Sequence, residues 1–263
     1  MILSVAGFGA ACIMTASGNK KPVITFEEAE LEVPLYKLRR GVMEGITAYD
    51  KEDGDLTDSV KIDRYSNFIE KGVFRAHYTV SDSNGNMGTA DRLVRISNYH
   101  SPEITLTAAP VFSIGSSGSI QSILEIKDQF NGKIDPKACL YLSNTINPEK
   151  EGEYKVTVQV SNSYGDVVQQ EIPVWVAGSG NGPMINLSEY MIYLETGSSF
   201  DSRSYIESIT DKNGNELKSY RLIVDDSDVD VDSCGTYLVK YICQQNKNVG
   251  YSALAVIVTE KGQ

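Results

Sequence analysis

Two landmarks recur along this chain at a near-constant interval, and that recurrence limits the possible folds more than any other feature. The first is a proline opening an apolar stretch: Pro22-Val-Ile-Thr-Phe, Pro102-Glu-Ile-Thr-Leu and Pro183-Met-Ile-Asn-Leu, 80 and 81 residues apart. The second is a Gly-x-aromatic step leading into a longer apolar run. It occurs as Gly72-Val-Phe74, Gly152-Glu-Tyr154 and Gly235-Thr-Tyr237, 80 and 83 residues apart. Two independent landmarks that keep the same offsets describe three copies of one unit of about 75–80 residues.

The runs that follow the glycines alternate. Phe74, Ala76, Tyr78 and Val80 share one face, with Arg75, His77 and Thr79 on the other. The second copy sets Tyr154, Val156, Val158 and Val160 inward, and the third sets Tyr237, Val239, Tyr241 and Cys243 inward. Period-two alternation with one wet face is the pattern of an antiparallel sandwich strand. Each copy closes on a further strand: Asp91–Ile96, Glu171–Val176 and Ala253–Val258. With turn residues between short strands and little helical periodicity, the expected fold is all-β, three tandem immunoglobulin-like β-sandwich domains. The Gly-x-Tyr/Phe step is similar to the tyrosine corner of that fold, whereas the antibody Cys-Trp-Cys core is absent, because Trp175 lies in a closing strand. The expected division is 1–21 as a signal-like or disordered segment, then domains over 22–98, 102–177 and 183–260. Ser97–Ser101 should couple the first two domains stiffly, and Gly-rich Ala177–Gly182 should bend more.

Composition narrows the function. The formal net charge of −11 argues against a nucleic-acid surface, which needs clustered Lys and Arg. Only two histidines are present, His77 and His100, so a His-rich metal site or a conventional catalytic triad lacks material. The apolar, uncharged start, Met1 to Ala16, is too short to span a membrane and reads as a signal-peptide h-region without its basic n-region. Gly9-Ala10-Ala11-Cys12 loosely resembles a lipoprotein box, making lipidated Cys12 the one expected membrane anchor. Cys234 and Cys243, if on one extended strand, lie roughly 30 Å apart, beyond any disulfide. The expectation is reduced, mostly buried thiols at Cys139, Cys234 and Cys243, which fits export from a bacterium.

The first unit resembles the bacterial surface immunoglobulin-like repeat family, which also occurs in some pesticidal crystal proteins. The residues that carry this are Pro22-Val-Ile-Thr, Ile46-Thr-Ala-Tyr-Asp-Lys-Glu-Asp-Gly-Asp-Leu-Thr57 and Gly72-Val-Phe-Arg-Ala-His-Tyr-Thr-Val-Ser-Asp-Ser-Asn-Gly-Asn86. The resemblance spans residues 22–97 and implies tandem non-catalytic modules on exported proteins, serving as stalks, spacers or adhesive segments. The later units match in outline only and lose most of the carboxylates of the acidic motif.

Asp50, Asp53 and Asp55, with Asp82 brought to the same sandwich end, are the sharpest candidate site. Four carboxylates with turn carbonyls would suit Ca²⁺; ordinary Asp-Gly and Asn-Gly turns account for the same residues without a metal. A second acidic run, Asp225–Asp232, would set Asp228, Asp230 and Asp232 on one face of a strand, as a solvated surface or a weak cation site. No nucleophile elbow, phosphate loop or paired-acid cleft stands out. The expected function is therefore that of a non-enzymatic, exported bacterial surface protein: a stalk or adhesive module meeting an unknown protein or glycan. The alternatives are a carbohydrate-binding accessory segment of a secreted enzyme, or a structural subunit of an extracellular assembly.

Overall fold

The computed structural model describes residues 21–116 and 118–261. The signal-like segment and Cys12 lie outside the described residues. The chain forms two compact units, residues 1–98 and 99–263, and each is described by itself.

The first unit is one sandwich. Its strands are β1 (Val23–Phe26), β2 (Glu30–Val33), β3 (Ile46–Asp50), β4 (Gly54–Asp55), β5 (Lys61–Tyr65), β6 (Val73–Ser81) and β7 (Met87–Ile96). One sheet has the order β1-β3-β4 and the other β2-β7-β6-β5. The alternation of β6 decides the core: Phe74, Ala76 and Tyr78 are fully buried and Val80 nearly so, as are Val94 and Ile96 beside them in the same sheet and Ile24, Ile46 and Ala48 in the other. Each buried Val, Ile or Phe side chain among them stabilises the fold by about 1.5–3 kcal/mol. A short helical excursion, Leu35–Lys37 followed by Leu38–Gly41, lays Val42 into this core.

The second unit holds two sandwiches of the same plan. The first has β8 (Glu103–Leu106), β9 (Val111–Ser113), β10 (Leu124–Asp128), β11 (Gly132–Ile134), β12 (Leu140–Asn144), β13 (Gly152–Ser161) and β14 (Val167–Ala177). The other has β15 (Met184–Leu187), β16 (Met191–Glu195), β17 (Ile206–Thr210), β18 (Arg221–Asp225), β19 (Gly235–Gln245) and β20 (Asn248–Thr259). Their larger sheets run β9-β14-β13-β12 and β16-β20-β19-β18. In the last sandwich the bridge Thr210↔Glu216 stands where β4 and β11 stand in the others. In all three, an early strand runs parallel to the closing strand: β2 with β7, β9 with β14 and β16 with β20.

The Gly-x-aromatic step is a tyrosine corner in two of the three copies. The Tyr154 hydroxyl donates to the Lys150 carbonyl and that of Tyr237 to the Ser233 carbonyl, each four residues upstream at 2.9 Å. These two rings are half-buried, while Phe74, which has no hydroxyl, is wholly enclosed.

The Gly-rich linker corrects an expectation. Ala177 is still part of β14, and Gly182 N donates to Val249 O at 3.0 Å. A Cβ on Gly182 would meet Val249 C at 2.2 Å, and one on Gly250 would meet Pro183 O at 1.7 Å. The glycines there permit close approach of two backbones, not bending. The two sandwiches accordingly share a core, in which Ala255, Ile257 and Met191 join Ile104, Val156 and Val174. Trp175 meets Tyr251 edge to face at 5.2 Å, Glu171 accepts from Thr236 at 2.7 Å, and Lys240 pairs with Glu153.

Cys139 and Cys243 are buried thiols as expected, and burial raises both above the ordinary thiol value. Cys234 is exposed instead, because it sits in the turn before β19 and not on the strand. The acidic run likewise departs from a strand. Only Asp225 belongs to β18, and the remainder forms turns in which Asp230 accepts from Asp232 N at 3.0 Å and Ser233 Oγ at 2.7 Å.

Candidate functional site

The acidic motif of the first unit sits where β3 ends and where β6 turns into β7. Asp50 is the last residue of β3 and is buried; its Oδ1 accepts from Glu52 N at 2.7 Å and Asp53 N at 3.1 Å. That capped turn aims Asp53 at the neighbouring loop. Its two oxygens accept from Ser83 N at 2.6 Å and Ser83 Oγ at 2.8 Å. Asn84 Nδ2 reaches Glu52 at 3.3 Å. Asp82, 9% exposed, accepts from Asn86 N and Asn86 Nδ2, both at 2.7 Å. These bonds, the side-chain one first, hold its carboxyl below the ordinary value. Asp55 accepts from Thr57 N at 2.9 Å, and the Thr57 bonds lower its carboxyl as well.

The structure thus brings the Asp50–Asp53 turn and the Asp82–Asn86 turn together at one end, through the Asp53–Ser83 contacts. Each carboxylate fastens a turn: Asp50 and Asp82 cap their own loops, Asp53 ties one loop to the other, and Asp55 leads into the next turn. Among the described residues, no group of three or more His, Cys, Asp or Glu is placed to hold a metal ion.

The second sandwich repeats the arrangement with two carboxylates exchanged for amides, Asn131 for Asp53 and Asn162 for Asp82. Asp128 Oδ1 accepts from Phe130 N at 2.9 Å and Asn131 N at 2.8 Å, as Asp50 does for its turn. Asn162 stands in the place of Asp82, and its Nδ2 donates to Asp128 Oδ2 at 3.2 Å. Ser163 N donates to Asn131 Oδ1 at 3.1 Å, the counterpart of the Ser83–Asp53 contact. Around it Tyr99, Phe130 and Tyr164 pack with tilted rings, their centroids 5.7 and 4.4 Å apart, and Tyr99 donates to Asp166 at 2.5 Å. Burial, with Asp166 beside it, raises the Tyr99 phenol well above its ordinary value. In the third sandwich Asp211 alone carries the cap, accepting from Asn213 N at 2.8 Å and Asn215 N at 3.0 Å.

His77 does lie on the outward face, where its ring pairs with Asp91 across β6 and β7. His100 is exposed. Sequence reasoning passed over Arg92, which is 2% exposed on the inward face of β7. Its guanidinium donates to Glu28 O at 3.0 Å and Glu44 O at 2.6 Å, and lies 5.4 Å from the Phe26 ring centroid. The signal was there: Arg92 keeps the parity of Val94 and Ile96.

A second feature lies within the second unit. A shallow cleft of about 350 Å³ is walled by Gly178, Gly180 and Gly182 and by Tyr190, Tyr251 and Ser252, among others. Ser252 is 1% exposed, and its Oγ has no hydrogen-bond partner.

Among known proteins, residues 42–96 match the family model described as bacterial surface protein, Ig-like domain. This match lies within the first sandwich, from Val42 to the end of β7. Human protocadherin gamma-A10 is 20% identical over 246 residues, covering 81% of this chain and 26% of that protein. The Pan troglodytes counterpart is 19% identical with the same coverage. The chain spans about a quarter (26%) of the length of these curated relatives. Among solved structures, the M60 catalytic domain with CBM51-1 and CBM51-2 domains from Clostridium perfringens ZmpB is similar at 15% identity and a TM-score of 0.26. That match covers 91% of this chain and 31% of the other. Drosophila N-cadherin EC1-4 is similar at 10% identity and a TM-score of 0.24, covering 94% of this chain and 69% of the other.

Proposed function

We propose that this chain is a non-catalytic, exported presentation module of a bacterial surface, acting as a stiff spacer with adhesive loops. The observation that carries the reading is the shared core of the last two sandwiches. Met191, Ala255 and Ile257 enter the hydrophobic cluster of the neighbouring sandwich, and backbone contacts clamp the linker. Coupled modules hold loops at a fixed spacing, which is what a spacer requires. The family match within the first sandwich supports a surface location. The role proposed for Asp50, Asp53, Asp55 and Asp82 is to fasten the turns of that end, and calorimetric heat on titration with millimolar Ca²⁺ would replace it with a metal site. The location is tested by mild proteolysis of intact source cells. Peptides of this chain released before any cytoplasmic marker support it, and protection until lysis overturns it.

The cleft of the second unit favours a second reading, the binding of a neutral sugar. Tyr190 and Tyr251 offer aromatic surface in an uncharged wall. A glycan array probed with the full chain and with Tyr251→Ala decides it. Hits lost in the variant support the sugar, and a blank array removes it.

A further inference from the structure

Each large sheet ends in an equivalent open edge: β5 in the first unit, β12 and β18 in the second. An unpaired edge invites pairing with another strand, and charges on it normally discourage that. The three edges differ in what they would meet in their own copy. Antiparallel self-pairing of Lys61-Ile-Asp-Arg-Tyr65 sets Asp63 against Asp63, a repulsive centre. Leu140-Tyr-Leu-Ser-Asn144 offers no charge to fix a register. Arg221-Leu-Ile-Val-Asp225 is self-complementary: centred on Ile223, it sets Arg221 of each strand against Asp225 of the other.

The faces agree. Leu222 and Val224 pack against the core of the third sandwich, which puts Arg221, Ile223 and Asp225 on the opposite face. Arg221 and Asp225 are exposed, and Arg221 makes no ion pair in the described structure. The charge polarity continues on both sides. Exposed Lys218 precedes the strand, and the acidic run through Asp226, Asp228, Asp230 and Asp232 follows it. In the same antiparallel arrangement the basic approach of one strand lies beside the acidic exit of the other.

We propose that β18 is a homodimerisation edge. Two copies of this chain pair antiparallel across a two-fold axis at Ile223, joining two four-stranded sheets into one. The interface is isologous, so each Arg221–Asp225 contact occurs twice. The formal charge of −11 on each copy opposes association at long range, but screening beyond about 8 Å in physiological salt leaves the short-range pairs to decide. The acidic run thereby acquires a partner, the Lys218–Arg221 approach of a second copy.

Sedimentation velocity of the full chain across a concentration series tests this. Wild type shifts from monomer to dimer as concentration rises. Arg221→Glu and Asp225→Lys each weaken the dimer by roughly tenfold or more, because each breaks two contacts and creates two repulsions. The charge swap Arg221→Asp with Asp225→Arg recovers the wild-type dimer, which a fold defect would not. Thermal melts on the same samples confirm that all variants are folded. A wild type that stays monomeric, single variants that dimerise as well as wild type, or a swap no better than the singles would each overturn the proposal.

Discussion

The hydroxyl of Tyr78, fully buried, donates to the carbonyl of Val42 at 2.6 Å, across 36 positions of the chain. Tyr241 repeats the device in the third sandwich, donating to Ser202 O at 2.6 Å. Each bond gives a buried phenol its hydrogen-bond partner. Tyr78→Phe should therefore lower stability by about 1–2 kcal/mol, since it removes the donor of a buried hydrogen bond. Tyr49→Phe, at a residue 62% exposed, should change little. Urea denaturation of the full chain, following the transition that contains the first unit, measures both.

The same phenols set an alkaline limit. Burial raises Tyr78 from 10.0 to about 12 and raises Tyr241 further. A folded value above the unfolded one means the contribution to stability is complete below pH 10.0 and is lost as pH rises through about 12. Absorbance at the phenolate band should show the exposed tyrosines titrating first. The buried ones should titrate together with loss of the β-sheet circular-dichroism signal. Their ionisation with the fold intact would contradict this.

The acidic end behaves in the opposite sense. Asn86 bonds hold Asp82 below its ordinary 3.8, so its contribution is present above that value and lost as pH falls through the folded one. Asp211, Asp225 and Asp230 add the same sign, each lowered first by a side-chain bond to Asn215, Ser227 and Ser233 respectively. Melting temperature should hold from neutrality to about pH 5 and fall steeply below pH 4. Asp82→Asn should be tolerated better than Asp82→Ala, because the second sandwich already uses Asn162 at that place.

Gly250→Ala should be among the most damaging single changes in the second unit, costing more than about 2 kcal/mol. Its Cβ would sit 1.7 Å from Pro183 O, backbone that cannot swing aside. Gly197→Ala, at φ +79° with open space around it, should cost about 1 kcal/mol through backbone conformation alone. Differential scanning calorimetry of the two variants separates these effects.

The sequence carried the strands better than the junctions. Alternation at β6, β13 and β19 identified Val156, Val239 and Cys243 as core, because a half-buried strand has a period of two that burial enforces. The opening prolines were legible as landmarks, but their reason was not. In the first and third sandwiches the proline carbonyl lies where a Cβ on the closing strand would fall, so Gly88 faces Pro22 and Gly250 faces Pro183. Glycine in a linker reads as flexibility, whereas close packing of two backbones needs the same residue. Composition alone does not separate the two. The acidic end was legible as a cluster but not as hydrogen-bonded turns, since the choice of Ser83 as Asp53's partner depends on which loops meet.

The parallel pairing of early and closing strands has a mechanical meaning. When tension is applied to a sandwich through its two ends, β2 and β7, or β16 and β20, are drawn past each other along their length and not peeled apart. Met191–Glu195 against Ala255–Thr259 therefore carries load along five paired positions at once. Such a joint resists a steady pull by sharing it, whereas a hairpin loaded at its open end gives way one rung at a time.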